Sequence, residues 1–238
     1  MLFALVFVAC GPDYDTPTRE DYDEMADAIA VTTSARSSGG NEVAAMTASI
    51  ELSTGVYGAA VDASYDGTVA DFSYAYAARC FDTAGLDARC DGAADGAQVD
   101  IDWDGALDLP RYQLTLERQG SWQLDGLQSG RPEFNGTGSF RVDSRFTALI
   151  ADYDATYVFD YQAEYDGIGY APEQGVPIDG QIRYELDAER RIESGDDVDD
   201  ARFLVDVTID FLGNGQADLI LDGDARYVVD LRTGDLVD

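Results

Sequence analysis

The stretch from Tyr153 to Tyr165 limits the possible folds more than any other. Tyr153, Ala155, Tyr157, Phe159, Tyr161, Ala163 and Tyr165 occupy every second position, and Asp152, Asp154, Thr156, Asp160, Gln162 and Glu164 take nearly all the places between them. A two-residue period sets the aromatic series on one side of an extended chain and the acidic series on the other. The stretch therefore predicts a long β-strand with one core face and one wet face.

The same alternation returns throughout the chain after Gly67. Phe72, Tyr74, Tyr76 and Ala78 form one series, followed by Val99, Ile101 and Trp103, then Leu114 and Leu116, then Trp122 and Leu124 past Gly120. Phe134, Phe140, Val142 and Phe146 share a parity, and beyond the aromatic run come series led by Ile182, Phe203, Ala217 and Tyr227. Asp66-Gly67, Asp91-Gly92, Asp104-Gly105, Asp166-Gly167, Asn214-Gly215 and Asp222-Gly223 are the residue pairs that tight hairpins favour, and they predict turns between strands. At Asn135-Gly136 parity runs straight through, so a bulge is the alternative to a turn there. The acidic run Glu193 to Asp200 is expected to be a loop. With no helix-length segment between strands, parallel βαβ units are excluded. The expected fold is mainly β: an antiparallel meander of about ten strands curled into a barrel, a half-barrel or a sandwich.

Two short helices are expected before the strands. Thr18 with Asp21 three residues on has the form of a capping box, and Tyr22, Met25, Ala26 and Ile29 follow at helical spacing. Asn41 is placed to cap a second helix through Val43, Ala44, Met46, Thr47 and Ile50, ending near Gly55. Both are Ala-rich and suited to lying close on a sheet.

Charge removes several functions from consideration. The net charge of −32 repels nucleic-acid phosphates, so nucleic acid is not an expected partner. All 15 basic residues are Arg, and the chain has neither His nor Lys. Imidazole bases, Ser-His-Asp and Cys-His pairs, Schiff-base lysines and the phosphate-binding lysine of P-loops are thereby excluded.

Leu2 to Ala9 is an unbroken run of apolar and small residues that stops at Cys10 and is followed by Gly11-Pro12-Asp13. It is too short to cross a bilayer, which takes about 20 apolar residues, and fits the apolar part of an export signal. Together, the run and Cys10 resemble a bacterial lipoprotein signal. The resemblance implies that residues 1–9 are removed, that the Cys10 thiol carries lipid, and that the protein is held in the bacterial envelope, as an outer-membrane lipoprotein facing the periplasm or the exterior. Residues 10–17 would then be an acidic tether and residues 18–238 a single β-rich domain. With Cys10 acylated, Cys80 and Cys90 remain and are expected to pair across a turn-rich stretch.

Asp100, Asp102, Asp104 and Asp108 resemble the start of a calcium loop, although Arg111 stands where the closing Glu belongs. Asp196, Asp197, Asp199 and Asp200 form a second acidic group. Calcium is a candidate at both, with a solvated acidic face as the alternative; no other cofactor is expected. Phe72, Tyr157, Phe159 and Tyr161 are candidates to line an apolar pocket if the sheet is an incomplete barrel, with plain core packing as the alternative. No residue is assigned a catalytic role. The expectation is a non-enzymatic envelope lipoprotein that binds an unidentified protein or apolar ligand, or serves as a structural element. A lipid carrier and a carboxylate-dependent glycoside hydrolase are the alternatives.

Overall fold

Helix α1 (Arg19–Thr33) starts as its capping box predicts. The Thr18 hydroxyl accepts from the Asp21 N–H at 3.3 Å, and the Asp21 carboxylate accepts from the Thr18 N–H at 2.8 Å. Helix α2 (Glu42–Ser53) has Asn41 at its N-cap, but the Asn41 side chain donates to the Val31 carbonyl at 2.8 Å and so ties α2 to the end of α1. These elements belong to a computed structural model that describes residues 13–35, 41–69, 71–109, 112–147 and 153–237. The expected signal (residues 1–9) and Cys10 lie outside the described residues.

The strands are β1 (Asp62–Val69), β2 (Phe72–Phe81), β3 (Asp87–Ala88), β4 (Gly96–Leu109), β5 (Tyr112–Asp125), β6 (Glu133–Thr147) and β7 (Tyr153–Ala171). They continue as β8 (Val176–Pro177), β9 (Gln181–Ser194), β10 (Asp197–Phe211), β11 (Gln216–Leu221), β12 (Ala225–Asp230) and β13 (Leu236–Val237). Every pairing is antiparallel. The order β1-β2-β4-β5-β6-β7-β9-β10-β11-β12-β13 is that of a meander, with β3 and β8 as two-residue additions to β2 and β7. The sheet does not close, which leaves the half-barrel among the expected shapes. Both helices lie on its apolar face, α1 against β12 and β13 and α2 against β1, β2 and β4, and helices and sheet share one core. No described helix is long and apolar enough to cross a membrane.

Several expected turns are strand interior instead. Asp66-Gly67 lies within β1 and Asp104-Gly105 within β4. Gly67 faces Tyr74 and Gly105 faces Phe72 across the ladder, and a Cβ on either would stand 2.4 Å from the Tyr74 hydroxyl or 2.6 Å from the Phe72 ring. These glycines make room for an aromatic ring rather than for a chain reversal. Asp166-Gly167 sits inside β7 where the register shifts against Asn135-Gly136. The Gly167 N–H donates to the Asn135 side chain at 2.8 Å, so the two pairs together make a bulge. Asp222-Gly223 is a true hairpin turn, with both residues at positive φ.

The run from Glu193 to Asp200 is not a loop. Only Gly195 and Asp196 turn, and Asp197–Asp200 pair in register with Ser194–Arg191. Arg191 reaches Glu193 and, at 2.9 Å, Asp200, while Arg190 reaches Asp199 at 3.1 Å. These cross-strand pairs relieve the repulsion that argued against a strand. The tether is also less free than expected, because the Asp15 N–H donates to the Arg202 carbonyl at 2.7 Å and its carboxylate accepts the Arg202 N–H at 3.0 Å.

Candidate functional site: a cleft beside helix α1

Side chains on the apolar face fall into rows across the strands. One row runs Tyr74, Trp103, Arg118, Phe140, Tyr161, Leu186 and Val205; the next runs Phe72, Gly105, Leu116, Val142, Phe159, Ala188 and Phe203. A third holds Leu107, Leu114, Ser144, Tyr157, Arg190 and Ala201. From Trp103 to Val205 the first row is buried. In the second, Phe72, Leu116, Val142 and Phe159 are half-buried, and the whole third row is half-buried. Helix cover thus ends at the second row, and apolar side chains continue past it.

Where α1 borders this uncovered region a cleft of about 380 Å³ opens, with Tyr157, Phe159, Ala188 and Phe203 on the sheet side and Met25 and Ala28 on the helix side. That volume is at the lower end for small-molecule sites. Asp21, Glu24 and Asp27 follow one side of α1 at three-residue spacing along the mouth. Asp21 and Arg190 form an ion pair, and the Arg190 Nη1 stands 3.9 Å from Glu24. Burial alone would raise the Asp21 carboxyl, but its bonds to Thr18 and the charge of Arg190 outweigh that and hold it below the ordinary value. At Glu24 burial prevails, helped by Asp21 and Glu20, and raises the carboxyl against the pull of Arg190. The Arg190 Nε, by contrast, is buried and accepted by no group among the described residues.

The first row contains a buried ionic cluster that anchors α2. Glu42, in the first turn of the helix, accepts from Arg118 Nη2 at 2.5 Å and from the Tyr165 hydroxyl at 2.8 Å, with the Tyr161 hydroxyl at 3.5 Å from its other oxygen. Gly120 and Gly138 occupy the neighbouring row, and a Cβ on Gly138 would stand 3.1 Å from the Tyr165 hydroxyl. The missing side chain of Gly138 makes room for the cluster, and that of Gly120 for Ile101, whose side chain would stand 2.9 Å from a Cβ there. Burial, with the Glu42 carboxylate beside them, pushes the Tyr161 and Tyr165 hydroxyls far above the usual tyrosine range, and the same holds for Tyr184. Tyr161 stacks on Tyr184 and Phe140, so it belongs to the core and not to the cleft.

Of the four expected pocket residues, Tyr157 and Phe159 line the cleft, Phe72 lies at the far end of the Phe159 row, and Tyr161 is internal. Asp100, Asp102, Asp104 and Asp108 alternate along β4 on the wet face. Asp102, Asp104 and Asp108 accept from Gln119, Ser73 and Gln113 in turn. Asp196 is in the β9–β10 turn, with Asp197, Asp199 and Asp200 in β10. Among the described residues no group of three or more potential metal ligands converges. Cys80 and Cys90 form the expected disulfide.

No protein-family model, curated protein or solved structure matches this chain. Arg118 and Arg190, which organise the two helix contacts, show one sequence signal that the strand assignment passes over. Each is a charge at core parity, Arg118 following Leu114 and Leu116, and Arg190 following Leu186 and Ala188.

Proposed function

We propose that the protein is a bacterial envelope lipoprotein, anchored through acylated Cys10, that works by binding an apolar molecule in the cleft beside α1 rather than by catalysis. The observation that carries this reading is the row of half-buried apolar side chains Phe72, Leu116, Val142 and Phe159, which runs out from under the helices and into the cleft. An apolar strip of this kind, left partly open to water in a chain with a net charge of −32, is a feature of interaction sites. The anchor suits the same use. Asp15 is bonded to Arg202, next to Phe203 of the cleft, and five residues of chain back to Cys10 span at most about 17 Å. Acylation at Cys10 would keep the cleft close to a bilayer surface.

The test uses the uncharged fluorophore N-phenyl-1-naphthylamine. Its emission should rise when the protein is added and should not rise with Ala28→Phe, which fills the cleft from a half-buried position on α1 that is outside the core cluster. A wild-type protein that leaves the emission unchanged would overturn the binding reading. Cys10→Ser should move the protein from the membrane to the soluble fraction of the cell, and continued membrane attachment would overturn the anchor.

A further inference from the structure

We infer that the occupant of the cleft is an amphiphile with an apolar chain and a cationic amine head group; this rests on the binding reading above. The floor selects for an apolar chain through Tyr157, Phe159 and Phe203. The mouth selects for charge. Asp21, Glu24 and Asp27 line it on the α1 side, and Arg190 is the one cation of the lining. That guanidinium is already engaged by Asp21 and by Asp199 at 3.1 Å, and it stays 3.9 Å from Glu24. Asp27, one turn beyond, meets no arginine among the described residues, and Glu189 is matched by Arg202 at 3.2 Å from outside the cleft. The result is a negative mouth around an apolar floor: Glu24 has only the long 3.9 Å contact with an Arg190 already shared with Asp21 and Asp199, and Asp27 has no cationic partner among the described residues. A carboxylate or phosphate head placed there meets like charge, whereas an ammonium restores the balance.

Three twelve-carbon ligands that differ only in the head group test this: dodecylamine, dodecanol and dodecanoate, each displacing N-phenyl-1-naphthylamine from the full chain at neutral pH. The amine should displace the probe at a concentration about tenfold lower than the alcohol, and the carboxylate should be weakest. The double variant Glu24→Gln/Asp27→Asn should bring amine and alcohol together. Asp100→Asn/Asp102→Asn, which removes the same charge from the opposite face, should leave the preference intact. Equal displacement by amine and alcohol in the wild type, or a preference lost equally in both double variants, overturns the head-group inference and leaves the cleft reading standing. Failure of all three ligands to displace the probe overturns both.

Discussion

Glu42 and Arg118 stand 76 residues apart in sequence and meet at 2.5 Å with both side chains almost fully buried. The pair joins the first turn of α2 to the middle of the sheet, and Asp21 with Arg190 does the same for α1. Each helix is thus seated by an acid in its first turn on an arginine that points in from a strand. The carboxylates also complement the positive end of their helix dipoles.

Removing one member of the buried pair leaves the other charge without its partner. Glu42→Gln or Arg118→Met alone should cost about 3–5 kcal/mol, and Glu42→Leu/Arg118→Met together should recover most of the loss. Urea unfolding of the four proteins measures this. Independent, additive costs would show that the two side chains do not act as a pair.

Alkaline pH should unfold the protein through its tyrosines. Tyr161, Tyr165 and Tyr184 have folded values raised above the ordinary 10.0, so their contribution is fully present below pH 10 and is lost as pH rises through the folded values. Each such group should steepen the loss by about 1.4 kcal/mol per pH unit above 10. The chain has no His or Lys and its Cys80 and Cys90 are paired, so stability should be nearly flat from about pH 6 to 9. Unfolding free energies across that range and above it check both limbs, and Tyr184→Phe should make the alkaline limb shallower.

At the acid end the seat of α1 should give way. The Asp21 carboxyl is held below its ordinary 3.8, so its stabilisation is present above that pH and is lost as pH falls through the lower folded value. The stability advantage of wild type over Asp21→Asn should therefore be constant at neutral pH and disappear in strong acid. An advantage that persists undiminished in strong acid would show that the carboxylate charge is not what seats the helix.

The two tryptophans should respond differently to removal of their N–H groups. Trp103 donates to the Tyr76 hydroxyl at 2.8 Å, whereas the buried Trp122 Nε1 has no acceptor among the described residues. Trp103→Phe loses a hydrogen bond and leaves a buried hydroxyl with one partner fewer, for about 1–3 kcal/mol beyond the loss of volume. Trp122→Phe loses volume and trims the ring that Arg118, Phe134 and Tyr165 contact, but no hydrogen bond. Thermal unfolding of the two variants should rank Trp103→Phe as the less stable.

The fold class was legible because period-two patterning is a local property that burial enforces along every strand. Thr18 with Asp21 marked the start of α1 for the same reason, since both partners of the capping box lie within one turn. Asp66-Gly67 and Asp104-Gly105 were misleading because glycine meets two needs with one residue type. A tight turn uses its freedom at positive φ, while Gly67 and Gly105 use the absence of a Cβ beneath Tyr74 and Phe72. Nothing local separates these cases, as the aromatic partner is fixed only by the register. Residues 193–200 misled in another way. Their charges are repulsive along the chain and compensated across it, and Arg190 and Arg191 supply the compensation from the neighbouring strand.

The candidate site was legible in part. Parity makes Phe72, Tyr157, Phe159 and Tyr161 equal candidates for lining a pocket or packing in the core, because it gives the face and not the row; only the register separates Tyr157 and Phe159 in the cleft from Tyr161 in the core. The helix side of the cleft was out of reach, because the placement of Met25 and Ala28 over β7 and β10 depends on an ion pair that closes over 169 residues.

Native mass spectrometry of the protein released gently from its own membrane tests the central claim most directly. The account predicts a folded species that carries, beyond any acyl group on Cys10, an extra mass of amphiphile size that is lost on denaturation and absent from the Ala28→Phe protein. A wild-type chain bearing no non-covalent mass, or an adduct retained equally by Ala28→Phe, would contradict it.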